Sequence, residues 1–309
     1  MKTVINVGGV SRSGSTMLHL ILGNDESAFA CGEIVNRFRP VKTHHRPFEC
    51  ACRVYPCPVW QRLDSTNERT FYREAFNILG VDLITDSSKE ASWLLDARRW
   101  AERDDLTTIN VFVYKDPIDL AYSFWKRGHN LMRWRSELVL YYGRVLGVGL
   151  PLLTINLGEL LENPAGKVEQ TCRVIGIPYA PGKERFWEKS HHHAFGNLGV
   201  QRQVQSGRSV FQRDRTYPAD FAQHIDELRG RIASDLELQW LLQHLADAEV
   251  KNHPEAAGRG QQFDRPRPYP TWYYRQRLRR LWYGRFPRTD DAAVSEAAAT
   301  VPGRSDAGD

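Results

Sequence analysis

The segment Gly9-Val10-Ser11-Arg12-Ser13-Gly14-Ser15-Thr16 has the residue types and the spacing to hold an anion. Its Gly-x4-Gly pattern lets the backbone turn tightly, so that successive N–H groups and the start of a following helix face one point. A nucleoside-triphosphate loop carries Lys where Ser15 stands; here the cation is Arg12, inside the loop. Loss of that Lys disfavours reach to a β/γ-phosphate and hydrolysis of a magnesium nucleotide. The plain alternative is a Gly/Ser-rich turn without a ligand. A second grouping begins at Lys115, continues with Ser123 eight residues later, and adds Arg127 four beyond that. On a continuous helix Ser123 and Arg127 share a face, and with Lys115 they can surround a phosphate. Otherwise Lys115 and Asp116 simply end a strand and open a helix at Pro117.

Two more patches can move a proton or neutralise charge. Glu33, in Cys31-Gly32-Glu33, follows the first loop–helix unit, where a carboxylate can serve as a general base. Asp86-Ser87-Ser88-Lys89 closes another strand, and ligands gather at the carboxyl ends of strands in open α/β sheets. An exposed Glu33 and a helix-capping Asp86-Ser87-Ser88 are the structural readings of the same residues.

Taken in order, these segments resemble the sulfotransferases that use 3′-phosphoadenosine 5′-phosphosulfate (PAPS). Residues 9–16 resemble the family's 5′-phosphosulfate loop, usually Arg-Ser-Gly-Thr/Ser-Thr after a strand. Val113-Tyr114-Lys115-Asp116-Pro117-Ile118-Asp119-Leu120-Ala121-Tyr122-Ser123 resembles its 3′-phosphate motif, with Lys115 where the family has Arg. Lysine is a point charge, whereas arginine forks onto phosphate through two bonds. Cys31-Gly32-Glu33 is similar to the Cys-Gly-Glu of the protein-tyrosine sulfotransferases, and Asp86-Ser87-Ser88-Lys89 to a segment of related bacterial enzymes. The resemblance covers about residues 3–203.

The resemblance implies a P-loop-like three-layer α/β fold and PAPS as the sulfuryl donor. It implies that Arg12 and the backbone N–H groups of Ser13, Gly14, Ser15 and Thr16 hold the 5′-phosphosulfate. Lys115, Ser123 and Arg127 then hold the 3′-phosphate. Glu33 is the base toward a hydroxyl-bearing acceptor, Lys89 and Arg12 neutralise charge in transfer, and no metal is required. Phenols, sugars, lipids and peptidyl tyrosine all remain open as acceptors. Lys42-Thr43-His44 repeats a tripeptide that carries the catalytic His of cytosolic small-molecule sulfotransferases, which makes His44 a competing base. The other readings are a P-loop kinase using ATP, with Asp86 as the magnesium-holding acid, and a non-catalytic nucleotide-binding or membrane-adaptor protein.

Cys50, Cys52 and Cys57, with His44 and His45 nearby, are metal ligands by type but not in a paired Cys-x2-Cys spacing. They are read as reduced structural thiols, and no metal is assigned. Neighbouring His191, His192 and His193 rarely face one point; with Gly196, Asn197 and Arg202 they resemble the family's late loop over the nucleotide.

These residues need a frame that brings them together. Apolar runs at residues 4–7, 82–85, 108–114 and 151–155 read as strands. Helices are predicted from Thr16 to Leu22, from Val59 to about Leu79, from Pro117 through Trp125, from Pro164 to near Gly176, and across residues 220–248. Alternating strands and helices predict a central parallel sheet covered by helices on both faces. Residues 180–216 read as a long irregular segment of the kind used over binding sites.

The chain divides by composition into a domain over residues 1–250 and a tail over 251–309. Residues 265–288 contain eight Arg and no acid, so without them 34 basic residues face 37 acidic ones. The basic character of the chain therefore belongs to residues 265–288 of the tail, and no nucleic-acid surface is implied for the domain. Aromatic and leucine residues interleave with those Arg. The tail is either an interfacial segment drawn to anionic lipid or a helix packing back on the domain. With no signal-peptide pattern and no long apolar stretch, the expectation is a cytoplasmic protein, peripheral on the inner membrane face if the tail binds lipid.

Overall fold

The structure is a computed structural model, and it describes residues 2–40, 50–196, 200 and 216–254. The chain divides into the units Met1–Arg265 and Pro266–Asp309, and every described residue falls in the first. His44, His45, Asn197, Arg202 and the tail at 265–288 lie outside the described residues.

The apolar, β-branched start of the chain forms the middle of a sheet. Its strands are β1 (Thr3–Gly8), β2 (Ala28–Gly32), β3 (Leu83–Asp86), β4 (Thr107–Tyr114) and β5 (Leu153–Asn156). They lie in the order β2-β3-β1-β4-β5, and every pairing is parallel. Parallel neighbours require crossovers, and helices supply them. In chain order these are α1 (Ser15–Leu22), α2 (Val35–Phe38), α3 (Pro58–Arg62), α4 (Phe71–Leu79), α5 (Ala91–Arg103) and α6 (Pro117–Trp125). After them come α7 (Arg133–Gly147), α8 (Leu157–Glu162), α9 (Pro164–Ile175), α10 (Ala219–Ala222), α11 (Ile225–Ser234) and α12 (Leu236–Asp247).

Successive residues of a strand point to opposite faces, and both faces of β1 are buried. Ile5 and Val7, with Val111 and Val113 of β4, pack against aliphatic residues of α1, α8 and α9. Val4 and Ile84 face the other way, into an aromatic layer of Trp60, Phe71, Tyr72, Phe76 and Trp93 drawn from α3, α4 and α5. Trp93 and Phe71 are fully buried, each burial contributing on the order of 2–3 kcal/mol. The three-layer α/β architecture expected from the sequence is the one observed.

Several elements differ from that expectation. The helix predicted over 59–79 is two helices, α3 and α4. Between them Thr66 donates its hydroxyl to the Leu63 carbonyl and Asn67 accepts from the Arg69 N–H, so polar side chains take over the backbone partners of a helix. Residues 220–248 likewise form three helices, and Asp235 caps α12 by accepting from the Leu238 N–H. The short strand β2 was not read from the sequence. Among the described residues, no helix is long and apolar enough to cross a membrane.

Candidate active site

Because the five strands are parallel, their carboxyl ends share one edge of the sheet. Residues 9–16 follow β1, Glu33 follows β2, Lys89 comes three residues after β3, and Lys115 follows β4. Motifs scattered over more than a hundred residues of sequence thus meet on that edge.

The loop after β1 is held from beneath. The Gly9 N–H donates to the hydroxyl of Tyr141 on α7, 2.9 Å away, and the Ser13 N–H donates to the Val10 carbonyl. Gly14 has φ of 96°, and a Cβ there would stand 2.8 Å from Leu157, so the tight approach of this loop to α8 needs glycine. No side chain caps α1, whose first N–H groups follow directly. Ser13 is fully buried, yet its hydroxyl has no hydrogen-bond partner among the described residues. An orphaned buried hydroxyl beside an uncapped helix start fits an anionic ligand.

Arg12 adopts φ of 71°, unusual for a residue with a Cβ and costly by on the order of 1 kcal/mol. Its guanidinium lies 5.6 Å from the Phe124 ring centroid, over α6. Burial, and then the charge of Arg127, lower its pKa from the ordinary value. Two cations close enough to repel, with no ion pair to either among the described residues, make a surface that favours an anion. Arg127 does not lie on a helix face with Ser123, contrary to the sequence reading. Helix α6 stops at Trp125, and the Arg127 and Gly128 N–H groups close short turns onto Phe124 and Trp125. The chain turns at Gly128, where φ is 77°.

Lys115 and Ser123 are together: the ammonium donates to the Ser123 hydroxyl at 2.6 Å, and that hydroxyl donates to the Asp119 carbonyl at 2.8 Å. Asp116 also caps α6, accepting from the Ile118 and Asp119 N–H groups, so the capping reading of this segment holds alongside.

Glu33 and Lys89 form an ion pair of 2.5 Å, each side chain about one-fifth exposed. Asn36 donates to the second Glu33 oxygen at 3.2 Å. The pairing of β2 with β3 shifts register between Ala30 and Gly32, a bulge that re-aims the chain immediately before Glu33. Gly32 has φ of 86°, and a Cβ there would meet the Ala194 carbonyl oxygen at 2.0 Å. That carbonyl accepts the Glu33 N–H at 2.9 Å, while the Ala194 N–H donates to the Cys31 carbonyl. Lys89, like Arg12, has a positive φ, 65°.

Asp86 is enclosed. Its carboxylate accepts from the Tyr72 hydroxyl, from the N–H and hydroxyl of Ser88, and from the Trp93 indole at 2.8 Å. Burial pushes its pKa up against these donors. With its oxygens saturated and its surface covered, Asp86 is a structural post under β3 and has no lone pair for magnesium.

The sequence reading missed Tyr141, Leu157, Ala194 and His19. The fully buried His19 accepts the Gly32 N–H on Nε2 at 3.1 Å, tying α1 to the end of β2. Only the apolar context of α1 hinted at it. Of the three consecutive histidines, His191 turns to the Phe186 carbonyl, His193 lies against His19, and His192 joins Cys50 and Cys57. A cavity of about 330 Å³ lies at the opposite sheet edge, lined by the first residues of β1, β3 and β4, Thr3, Leu83 and Thr107, and touches none of these groups.

No family model matches the chain, and no curated protein matches it. Several solved structures resemble it, two of them as follows. One is the sulfotransferase domain from the curacin biosynthetic pathway, at 13% identity and a TM-score of 0.44, over 76% of this chain and 99% of that one. The other is the sulfotransferase domain from the Synechococcus PCC 7002 olefin synthase, at 14% identity and a TM-score of 0.46, over 76% and 96%. Both are sulfotransferase domains.

Proposed function

We propose that this protein transfers a sulfuryl group from PAPS to a hydroxyl acceptor. The observation that carries the reading is the meeting, at one sheet edge, of an anion-ready loop, a Lys–Ser pair and a Glu–Lys pair in the order of the sulfotransferase motifs. Arg12 and the N–H groups of Ser13, Gly14, Ser15 and Thr16 bind the 5′-phosphosulfate. Lys115 and Ser123 bind the 3′-phosphate, with Arg127 adding charge from the turn after α6.

Glu33 removes the acceptor proton as the acceptor oxygen attacks sulfur in line. The bond from sulfur to the bridging phosphate oxygen breaks, and its electron pair leaves on adenosine 3′,5′-bisphosphate. Lys89 and Arg12 neutralise charge on the sulfuryl and bridging oxygens as it builds, which fixed cations do most effectively where water is excluded. Lys89 pairs with Glu33 in the structure. Donor binding draws Lys89 to the sulfuryl group and frees the carboxylate as a base.

A kinase reading needs a magnesium-holding acid, and the saturation of Asp86 argues against it. Calorimetric titration with PAPS, adenosine 3′,5′-bisphosphate and ATP–magnesium tests the proposal, followed by transfer of labelled sulfate to phenol, sugar, lipid and peptide acceptors. Both 3′-phosphorylated nucleotides should bind more tightly than ATP–magnesium. Tighter binding of ATP–magnesium overturns the sulfotransferase reading. PAPS binding without transfer to any class of acceptor leaves a nucleotide-binding protein.

A further inference from the structure

The loop before α3 holds a group of side chains that sulfuryl transfer does not use. Cys50, Cys52, Cys57 and His192 each offer one ligand atom, and these four atoms all lie within 4.8 Å of one another. Nδ1 of His192 stands 3.3 Å from Sγ of Cys57 and 3.9 Å from Sγ of Cys50. All three cysteines are free thiols. A zinc ion bonded at about 2.3 Å to sulfur and about 2.0 Å to nitrogen spaces its tetrahedral ligands roughly 3.5–3.8 Å apart. The number and types of the four atoms match a zinc ligand set, and the two His192–cysteine separations bracket the tetrahedral spacing. All four atoms lie within 4.8 Å, which a small side-chain adjustment around the ion would close.

Packing alone does not account for the cluster. Cys57 is buried among aromatic residues, as a small apolar side chain is, but Cys50, Cys52 and His192 are only partly buried. The backbone around them is fixed from several sides. The His192 carbonyl accepts the Trp60 indole N–H at 2.7 Å, and the Ala51 N–H donates to the His193 carbonyl at 3.0 Å. Cys50 also makes a β-bridge to Ala194. Two segments more than a hundred and thirty residues apart are thereby laid side by side, with all four donor atoms within 4.8 Å of one another.

We propose that Cys50, Cys52, Cys57 and His192 bind one Zn²⁺ as a structural site. Binding releases one proton from each of the three thiols, His192 ligates through neutral Nδ1, and the site carries a net charge of −1. Four protein ligands close the coordination shell, so the ion holds structure and activates no water. What it holds is the segment ending at Ala194, whose carbonyl accepts the Glu33 N–H. Zinc therefore clamps the segment that fixes the backbone of Glu33. That last consequence rests on the role proposed for Glu33, whereas the binding of zinc does not.

The test uses the full chain, reduced and purified without chelator or a polyhistidine tag. Elemental analysis should find about one zinc per chain, and Cys52→Ser or His192→Ala should lower this to less than about a tenth. Chelator-stripped wild-type protein titrated with Co²⁺ should develop thiolate-to-cobalt charge-transfer absorption and tetrahedral ligand-field bands, both abolished by one equivalent of Zn²⁺. The cobalt titration needs no variant, so a substitution that fails to fold does not decide the matter. Two results overturn the site: wild-type protein with substoichiometric zinc and no cobalt–thiolate absorption, or a folded Cys52→Ser that keeps its full zinc. Neither readout depends on sulfuryl transfer.

Discussion

Glu33 and Lys89 come from different strand ends and neutralise each other across 2.5 Å, so the role of each shows only when the other is occupied. Glu33→Gln keeps the shape and the contact with Asn36 but cannot take a proton. Donor affinity should change little, while turnover falls roughly 10²–10⁴-fold, the scale of general-base loss. Calorimetry with PAPS beside steady-state transfer measures the split; near-normal turnover in Glu33→Gln with an inactive His44→Ala would move the base to His44. Lys115 makes a different case. Its ammonium already donates to Ser123, which in turn donates to the Asp119 carbonyl, so lysine and hydroxyl present one preformed cradle. Lys115→Ala should weaken PAPS far more than adenosine 5′-phosphosulfate, which lacks the 3′-phosphate. Lys115→Arg should preserve or tighten PAPS through a bidentate pair. Equal losses for both donors in Lys115→Ala would remove the residue from the 3′ site.

At the scale of elements, β1, β3, β4 and α6 were readable because their apolar runs and the Asp116–Pro117 start carry local signals. Strand β2 was not. Ala28-Phe29-Ala30-Cys31-Gly32 has one strongly β-prone residue, and its conformation comes from pairing with β3 and from the Gly32–Ala194 bridge. The i+4 argument for Arg127 failed because sequence spacing does not show where a helix stops. Asp86 was legible as a polar residue at a strand end, but its enclosure by Tyr72 and Trp93 depends on helices α4 and α5 folding over it. The contact between α1 and β2 also has a pH signature. Burial first, and then the charges of His193, His191 and Lys89, hold the His19 imidazole well below its ordinary range, so it is neutral in the folded protein. The unfolded chain binds that proton below about pH 6.5, so stability is full above this value and is lost as pH falls. The slope is about 1.4 kcal/mol per pH unit for each such proton. Urea midpoints between pH 7.5 and 5.5 should fall, and His19→Gln, which keeps an acceptor for the Gly32 N–H, should flatten the slope. An unchanged slope in that variant would assign the effect to other groups.

For the whole molecule, charge and chemistry separate along the chain. The proposed site is built within residues 9–127, whereas the excess of positive charge belongs to residues 265–288, outside the described residues. We propose that this basic, aromatic run contributes peripheral attachment, each Arg near an anionic surface adding on the order of 1 kcal/mol. Full-length protein should co-sediment with vesicles containing phosphatidylserine at low salt, release in high salt, and ignore neutral vesicles. A chain ending at Arg265 should ignore both and keep its activity on a soluble acceptor. If full-length protein ignores the anionic vesicles, the tail serves the fold or a protein partner.

The Glu33–Lys89 contact also bears on the order of events in the proposed transfer. We propose that the pairing of Lys89 with Glu33 withholds the base until the sulfuryl group of the donor draws the lysine away. On that proposal productive encounters begin with the nucleotide, and the bisphosphate departs last. Initial-rate studies should find adenosine 3′,5′-bisphosphate competitive against PAPS and non-competitive against the acceptor, with acceptor inhibition at high concentration through a dead-end complex with the bound bisphosphate. Random addition, with each substrate binding equally well to the empty protein, would mean that the ion pair does not gate the base.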